Sequence, residues 1–511
     1  MRRAVQLALL ALFIYLLALT RWPLSDAILV NAFLVIDPLL SMQAAIAGRT
    51  WVSGLAYGFL MLGLAAILGR FFCGWMCPFG TCLELGDDLV FRKKKRKWRN
   101  HERHLRYVKF IVLAVIMIAA IFGQGLAYLA DPICWATRLF TYALWPMGAG
   151  IGNVGLDLLR PVFEYFGWMN LARATVEQPV FGSFGVVAIL FFVTLVWLGR
   201  YQRRFWCRVL CPLGALLALP ARFTIFHRTV GDACDEDGKC RRVCETGAID
   251  EAFREYDPGE CIQSQKCVSN CHVDAVKFAP TKSFAQSLPK TDMTRRRLIG
   301  AFGIGAVASA WLGFNSKRTL IKDEALRPPG ALPENDFLAT CVRCGQCIKA
   351  CPTNCLQPCA FETGAAGLMT PTALMRLGPC DQNCNVCGQV CPTGAIRALD
   401  FAEKPFAKIG NAVIEPGRCL VWEQGRLCLV CDEHCPYGAI YWKEVAGGAR
   451  RPFINENRCN GCGQCEEACP VTGVAAVRVY PAGQIRLSEG SYEREAAERG
   501  LDLTRIESID Y

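Results

Sequence analysis

The sequence predicts an internally duplicated membrane α-helical bundle, of four spans plus a fifth, joined to small α+β domains built around grouped cysteines. Three observations carry that expectation. Apolar runs at 4–19, 51–68, 107–122 and 184–198 each approach the ~20 residues that cross a bilayer core. The pattern Asp-Pro, apolar run, F-x-C-x3-C-P-x-G occurs twice before residue 220. Between Cys341 and Cys469 a third pattern, several cysteines closing on Cys-Pro, occurs four times. At 511 residues, with 30 cysteines, 53% hydrophobic residues and a net charge of +11, the chain is long enough for several domains.

The expected membrane part covers 1–220. Arg2 and Arg3 precede the first apolar run, a basic stretch at 92–106 separates the second from the third, and Arg200, Arg203 and Arg204 follow the fourth. The positive-inside rule assigns all three to the cytoplasm, with the N-terminus inside and 20–50 and 123–183 facing out. Nothing in the charge pattern suggests nucleic-acid binding. The two copies carry Cys73, Cys77 and Cys207, Cys211. Related halves packed about a pseudo-two-fold axis would bring these four thiols together at the cytoplasmic end, where they could hold one shared metal centre, an iron–sulfur cluster fitting best. The alternative is two thiol pairs without metal.

Asp37 and Asp131 open the Asp-Pro pairs and are expected near the outer surface. Each suits a helix N-cap followed by proline at the first helical position. The sharper reading makes one of them a proton acceptor for quinol oxidation, since ionisable groups at membrane depth often mark proton paths. None of the five histidines lies in an apolar run and C-x-x-C-H is absent, so neither a bis-histidine haem nor a covalent c-type haem is expected.

A linker domain at 228–282 follows on the cytoplasmic side. Cys234, Cys240, Cys244 and Cys261, Cys267, Cys271 form two groups, with Asp237 and Ser264 where a further cysteine would complete each. One or two three-iron clusters, four-iron clusters with an oxygen ligand, or no cluster at all are compatible with this pattern. At 294–316, Arg295, Arg296 and Arg297 lead into a Gly-Ala-rich apolar run, read as a fifth span that resembles a twin-arginine export signal. Residues 317–335 read as a linker.

The last domain, 336–482, carries Cys341, Cys344, Cys347, Cys351; Cys380, Cys384, Cys387, Cys391; Cys419, Cys428, Cys431, Cys435; and Cys459, Cys462, Cys465, Cys469. Pro352, Pro392, Pro436 and Pro470 follow the last member of each. C-x2-C-x2-C-x3-C-P is the ligand run of bacterial [4Fe–4S] ferredoxins: three thiolates curl round one cube and the fourth serves the neighbouring one. Zinc sites favour two separated pairs, and disulfide frameworks lack the repeated proline. Four [4Fe–4S] clusters are expected, with Cys355 and Cys359 as spare thiols or a disulfide, and 483–511 as a tail.

With these motifs in view, CGWMCPFG and CRVLCPLG plus the trailing cysteine domain resemble the NapH/MauN family. RRRLIG followed by CVRCGQCIKACP, CDQNCNVCGQVCP, CLVWEQGRLCLVCDEHCP and CNGCGQCEEACP resembles the NapG/MauM family. The resemblance implies a natural fusion in a bacterial inner membrane, a quinol dehydrogenase component passing electrons from membrane quinol to a periplasmic redox acceptor such as a c-type cytochrome. It also implies a periplasmic polyferredoxin domain. An electron relay without its own quinone site, and a cofactor-maturation or copper-handling factor, are the rivals.

Overall fold

The computed structural model describes residues 1–24, 29–52, 54–90, 103–173, 175–176, 179, 181–280, 295–319, 325–445 and 448–505. The chain forms two units: Met1–Ala18 with Asn31–Trp311, and Leu19–Val30 with Leu312–Tyr511.

The first unit is helical, with one small sheet. One helix among the described residues, Arg2–Leu19, is long and apolar enough to cross a membrane by length and composition. This overturns the expected bundle of four spans plus a fifth. The helices Gly54–Leu68, Val108–Ile121 and Phe184–Leu198 have 15, 14 and 15 residues. At ~1.5 Å per residue each falls short of the ~30 Å hydrocarbon core. The helix Arg295–Thr319 runs for 25 residues, but its apolar part is confined to Ile299–Trp311. The side chains of Arg295 and Arg297, and residues 92–102 of the basic stretch, lie outside the described residues.

Three of the cations read as topology signals, Arg2, Arg106 and Arg204, have partners inside the fold. Arg2 is buried and pairs with Glu84 and Glu245 at 2.8 and 2.9 Å. Arg204 is likewise buried against Glu84 at 2.6 Å, and Arg106 donates to the Gly247 carbonyl at 2.6 Å.

Both Asp-Pro pairs start helices. Asp37 accepts from the amides of Leu39 and Leu40 at 2.8 and 3.3 Å to open Pro38–Gly48. Asp131 accepts from Cys134 N at 2.8 Å to open Pro132–Arg138. Both aspartates are 0% exposed. Ring contacts close the core: Trp135 stacks on Phe191 with centroids 3.7 Å apart, and Phe79 meets Phe192 and Trp206 edge-on.

Each F-x-C-x3-C-P motif forms a π-helical turn, Phe72–Met76 and Trp206–Leu210, then an extended cysteine and a proline-led helix. The second cysteine therefore leaves the helix as the chain reverses, so the two thiols of a copy do not share a regular helix face. The linker cysteines hang between β1 (Phe226–Val230) and β2 (Val276–Pro280), antiparallel from Phe226↔Pro280 to Val230↔Val276.

The second unit is a chain of short helices and hairpins. β3 (Leu356–Pro358) pairs with β4 (Pro371–Ala373). β5 (Asn411–Ile414) pairs with β8 (Val477–Tyr480) across the intervening hairpin of β6 (Ile440–Glu444) and β7 (Arg450–Ile454). Strands of three to five residues cannot bury much apolar surface by themselves. The packing runs instead through Leu399, Tyr437, Ile485, Tyr492 and Leu503, with Cys462 among them. Tyr492, on the helix Tyr492–Glu498, is fully buried.

Candidate metal centres

In the second unit the cysteines gather in fours, and the fourth crosses over each time. Cys380, Cys384 and Cys387 line a cavity of about 420 Å3 with Cys351 from the group before. Cys419, Cys428 and Cys431 line one of about 400 Å3 with Cys469. Cys459, Cys462 and Cys465 line one of about 340 Å3 with Cys435. Cys341 and Cys347 have Cys391 as a charged neighbour, and Cys344 is a neighbour of Cys347. Groups one and two thus exchange their last thiols, as do groups three and four.

The donor chemistry tests whether these residues suit a metal cluster. Burial, and then the neighbouring thiolates, push Cys341 and Cys384 up to about 11 and Cys431 and Cys462 up to about 12. Four buried thiols at that spacing cannot all ionise unless a strongly cationic centre offsets them, which is what an iron–sulfur cube does. Backbone amides already aim at several sulfurs. Ala439 N donates to Cys435 Sγ at 3.3 Å, Ala476 N to Cys469 Sγ at 3.4 Å and Ala412 N to Cys459 Sγ at 3.4 Å. Such contacts tune cluster potentials. Cys355 and Cys359 are free thiols. Cys355 lines the same cavity as Cys380, with its Sγ 3.7 Å from Met375 Sδ.

In the first unit Cys73, Cys77, Cys207 and Cys211 are all buried and are mutual charged neighbours. Two symmetric amide donors serve the second thiol of each copy, Gly80 N to Cys77 Sγ at 3.3 Å and Gly214 N to Cys211 Sγ at 3.2 Å.

Two arginines cross between the copies. Arg204 reaches back to the first, donating to the Cys73 carbonyl at 3.0 Å and lying over Gly80, and Arg70 reaches forward over Gly214. A Cβ on Gly214 would stand 2.6 Å from Arg70 Nη2, so the glycine makes room for the guanidinium. Both arginines are charged neighbours of the thiols.

Each arginine is tied to the linker domain by a buried acid. Arg204 Nε lies 3.3 Å from Glu245, directly after Cys244. Arg70 lies 3.3 Å from Glu260, directly before Cys261, and Lys109 holds the same carboxylate at 2.6 Å. Glu84 completes the network with Arg2, Arg204 and Lys266. Lys266 also bonds Glu245.

Sequence reading missed this network. The available signal was the Arg three residues before the first cysteine of both copies, in Arg70-Phe-Phe-Cys73 and Arg204-Phe-Trp-Cys207.

The linker backbone runs directly against the first motif. A Cβ on Gly74 would stand 2.1 Å from the Ile262 carbonyl oxygen, and Trp75 Nε1 donates to the Gln263 carbonyl at 3.0 Å. Gly74→Ala is therefore expected to prise the linker segment off the motif and lower the thermal midpoint, by an amount in the overpacking range of ~1–3 kcal/mol. A melting curve checks it. In the linker itself Cys261 is the charged neighbour of Cys244 and Cys267, and Cys240 of Cys234.

Asp37 and Asp131, one from each copy, lie within hydrogen-bonding reach of each other. Burial first, and then the Asp131 charge, push Asp37 well above the usual carboxylate range, and burial raises Asp131. Two buried carboxylates in contact resist ionising together.

Comparison with known proteins agrees with the chemistry of these sites. A 4Fe-4S binding domain family matches residues 50–99 and 184–231, which contain the two paired-cysteine motifs. A 4Fe-4S dicluster domain family matches 426–473 and a 4Fe-4S binding domain family matches 338–357. The methylamine utilization ferredoxin-type protein MauM of Methylorubrum extorquens is 38% identical over 204 residues, 38% of this chain and 91% of that protein. MauM of Paracoccus denitrificans is 37% identical over 209 residues, 39% of this chain and 92% of its own length. The ferredoxin-type protein NapG of Escherichia coli K12 is 34% identical over 206 residues, 38% of this chain and 86% of that protein. No solved structure matches. Because these relatives align over nearly their whole length, the chain belongs to the MauM/NapG family of ferredoxin-type iron–sulfur electron-transfer proteins.

Proposed function

We propose that this protein oxidises quinol and passes the electrons singly through iron–sulfur centres to a redox protein outside the cytoplasm. The observation that carries the reading is that the first unit holds both four buried, neighbouring thiols and a buried pair of carboxylates within hydrogen-bonding reach of each other. Quinol oxidation releases two electrons and two protons, so it needs a one-electron acceptor and a proton acceptor together. In this reading Cys73, Cys77, Cys207 and Cys211 hold a shared centre, and the second unit holds four [4Fe–4S] clusters on the crossed cysteine sets. When bound, the clusters supply the one-electron chemistry. The protein positions them, excludes water and receives the proton on Asp37 or Asp131.

Membrane association belongs to the same proposal. Arg2–Leu19 has the length and composition of a span. Tyr57, Phe59, Leu60, Val186 and Leu190 stand exposed on the short apolar helices, an apolar surface suited to lipid contact. The NapH/MauN-like motifs of the first unit and the arginines before residue 298 support a bacterial inner-membrane site with the second unit on the periplasmic side. A c-type cytochrome is the acceptor class proposed.

Asp37→Asn and Asp131→Asn are expected to slow quinol-dependent cluster reduction by the ~10²–10⁴-fold typical of losing a proton acceptor, without altering iron content. Unchanged rates in both variants reject the proton role. Copper bound by the four thiols in place of iron would favour the maturation reading.

A further inference from the structure

The linker domain's second group keeps the cavity, the crossed-over thiol and the backbone curl of a cluster site, but has serine in place of its second cysteine and Glu245 in place of the proline after the crossed-over Cys244. Cys261 and Cys267 line a cavity of about 360 Å3 with the crossed-over Cys244, and Ser264 faces the same space. That volume falls between the about 340 and 400 Å3 of the two cavities lined by four cysteines in the second unit. Cys244 accepts from Ala248 N at 3.3 Å, the same bond, four residues on, that Cys435 accepts from Ala439 N at 3.3 Å.

The backbone at Ser264 repeats the ferredoxin curl. Cys344 is flanked by left-handed residues, Arg343 at φ 50 and Gly345 at φ 83, and Cys462 by Gly461 and Gly463, both at φ 81. Ser264 is flanked by Gln263 at φ 53 and Gln265 at φ 54. Two non-glycine residues in the left-handed region on either side of one position are strained. The chain holds them in the conformation that aims the middle side chain inward.

Among the described residues no hydrogen bond engages the Ser264 hydroxyl. The counterpart Asp237, flanked by Glu236 at φ 55 and Gly238 at φ 68, has its carboxylate committed to the Lys239 amide at 2.9 Å and the Lys239 ammonium at 2.8 Å.

We propose that Cys244, Cys261 and Cys267 hold a [4Fe–4S] cluster whose fourth iron is bound by the Ser264 oxygen. Serine loses its proton on binding, as cysteine does, and supplies a harder donor than sulfur. The cluster therefore sits at a lower potential than an all-thiolate one in the same cavity. Its place in the chain also matters. Cys261 follows Glu260, which holds Arg70, and Ile262 touches Gly74 of the four-thiol motif. The serine-ligated cluster would thus adjoin the first unit's shared centre. The inference rests on the iron–sulfur reading of the chain and is independent of quinol oxidation.

The test compares the full-length protein with Ser264→Ala, Ser264→Cys and Cys261→Ala, purified without oxygen, by iron content, EPR and redox titration. Ser264→Ala is expected to lose about one iron per chain and gain the signal of a three-iron cluster. Ser264→Cys should keep its iron and raise the potential of one centre. Cys261→Ala should lose about four irons. Ser264→Ala or Ser264→Cys with the parent's iron and spectrum overturns the serine ligand, and Cys261→Ala with unchanged iron overturns the cluster itself. These readouts need no quinol, so they fail or succeed separately from the proposed activity.

Discussion

Replacing Cys391 with alanine is expected to destroy the centre built on Cys341, Cys344 and Cys347, not the one built on its own neighbours Cys380, Cys384 and Cys387. Cys391 is the charged neighbour of Cys341 and Cys347, whereas Cys351 completes the cavity of the second group. Cys351→Ala should produce the reciprocal loss. Each variant should drop about four irons per chain and remove a different cluster's EPR signal. The second unit should also melt earlier, because its short strands leave much of the stabilisation to the centres they enclose and metal binding there is folding free energy. Loss of the same signal in both variants would contradict the crossed assignment.

The second large effect is expected at Arg204. Arg204→Met leaves Glu84 and Glu245 buried with one guanidinium fewer, and removing one partner from a buried ion network costs ~3–5 kcal/mol. The two acids would still have Arg2 and Lys266. The loss should therefore sit toward the lower end, and Arg204→Lys should recover part of it. The same network sets an acid limit. Burial alone would raise Glu84, Glu245 and Glu260, yet Arg204 acting on the first two, and Lys109 and Arg70 on the third, hold all three below the usual range. A depressed carboxylate stabilises the fold fully above its unfolded value, ~4.3, and the stability is lost as pH falls through the folded value. The thermal midpoint of the first unit should hold steady from neutrality to about pH 5 and fall below about pH 4. Arg204→Met should flatten that fall, which a melting series across pH measures.

What was legible in the sequence was what depends on local spacing. The four cysteine groups, the duplication and the Asp-Pro caps are all written within a few residues. The partner of each fourth cysteine was not, because that choice depends on how two distant turns pack. The arginine–glutamate network escaped for the same reason: Arg70 and Glu260 stand 190 residues apart and Arg204 and Glu84 stand 120 apart.

The spans were misread because an apolar run records hydrophobicity and not length of helix. Residues 107–122 read as one span, yet the helix starts at Val108 and its second residue is the buried, ion-paired Lys109. Arg2 and Arg204, read only as charges at a membrane face, neutralise acids inside the fold. At Ser264 the sequence shows only a missing cysteine, and the retained backbone curl is visible in three dimensions alone.

The most direct test of the central claim is an anaerobic titration of the full-length purified protein with a short-chain quinol, followed by EPR. The account predicts that quinol alone reduces at least one iron–sulfur centre, and that Cys73→Ala with Cys207→Ala abolishes this while leaving the second unit's clusters reducible by dithionite. Clusters that dithionite reduces in the unmodified protein, but that quinol leaves oxidised, would contradict it.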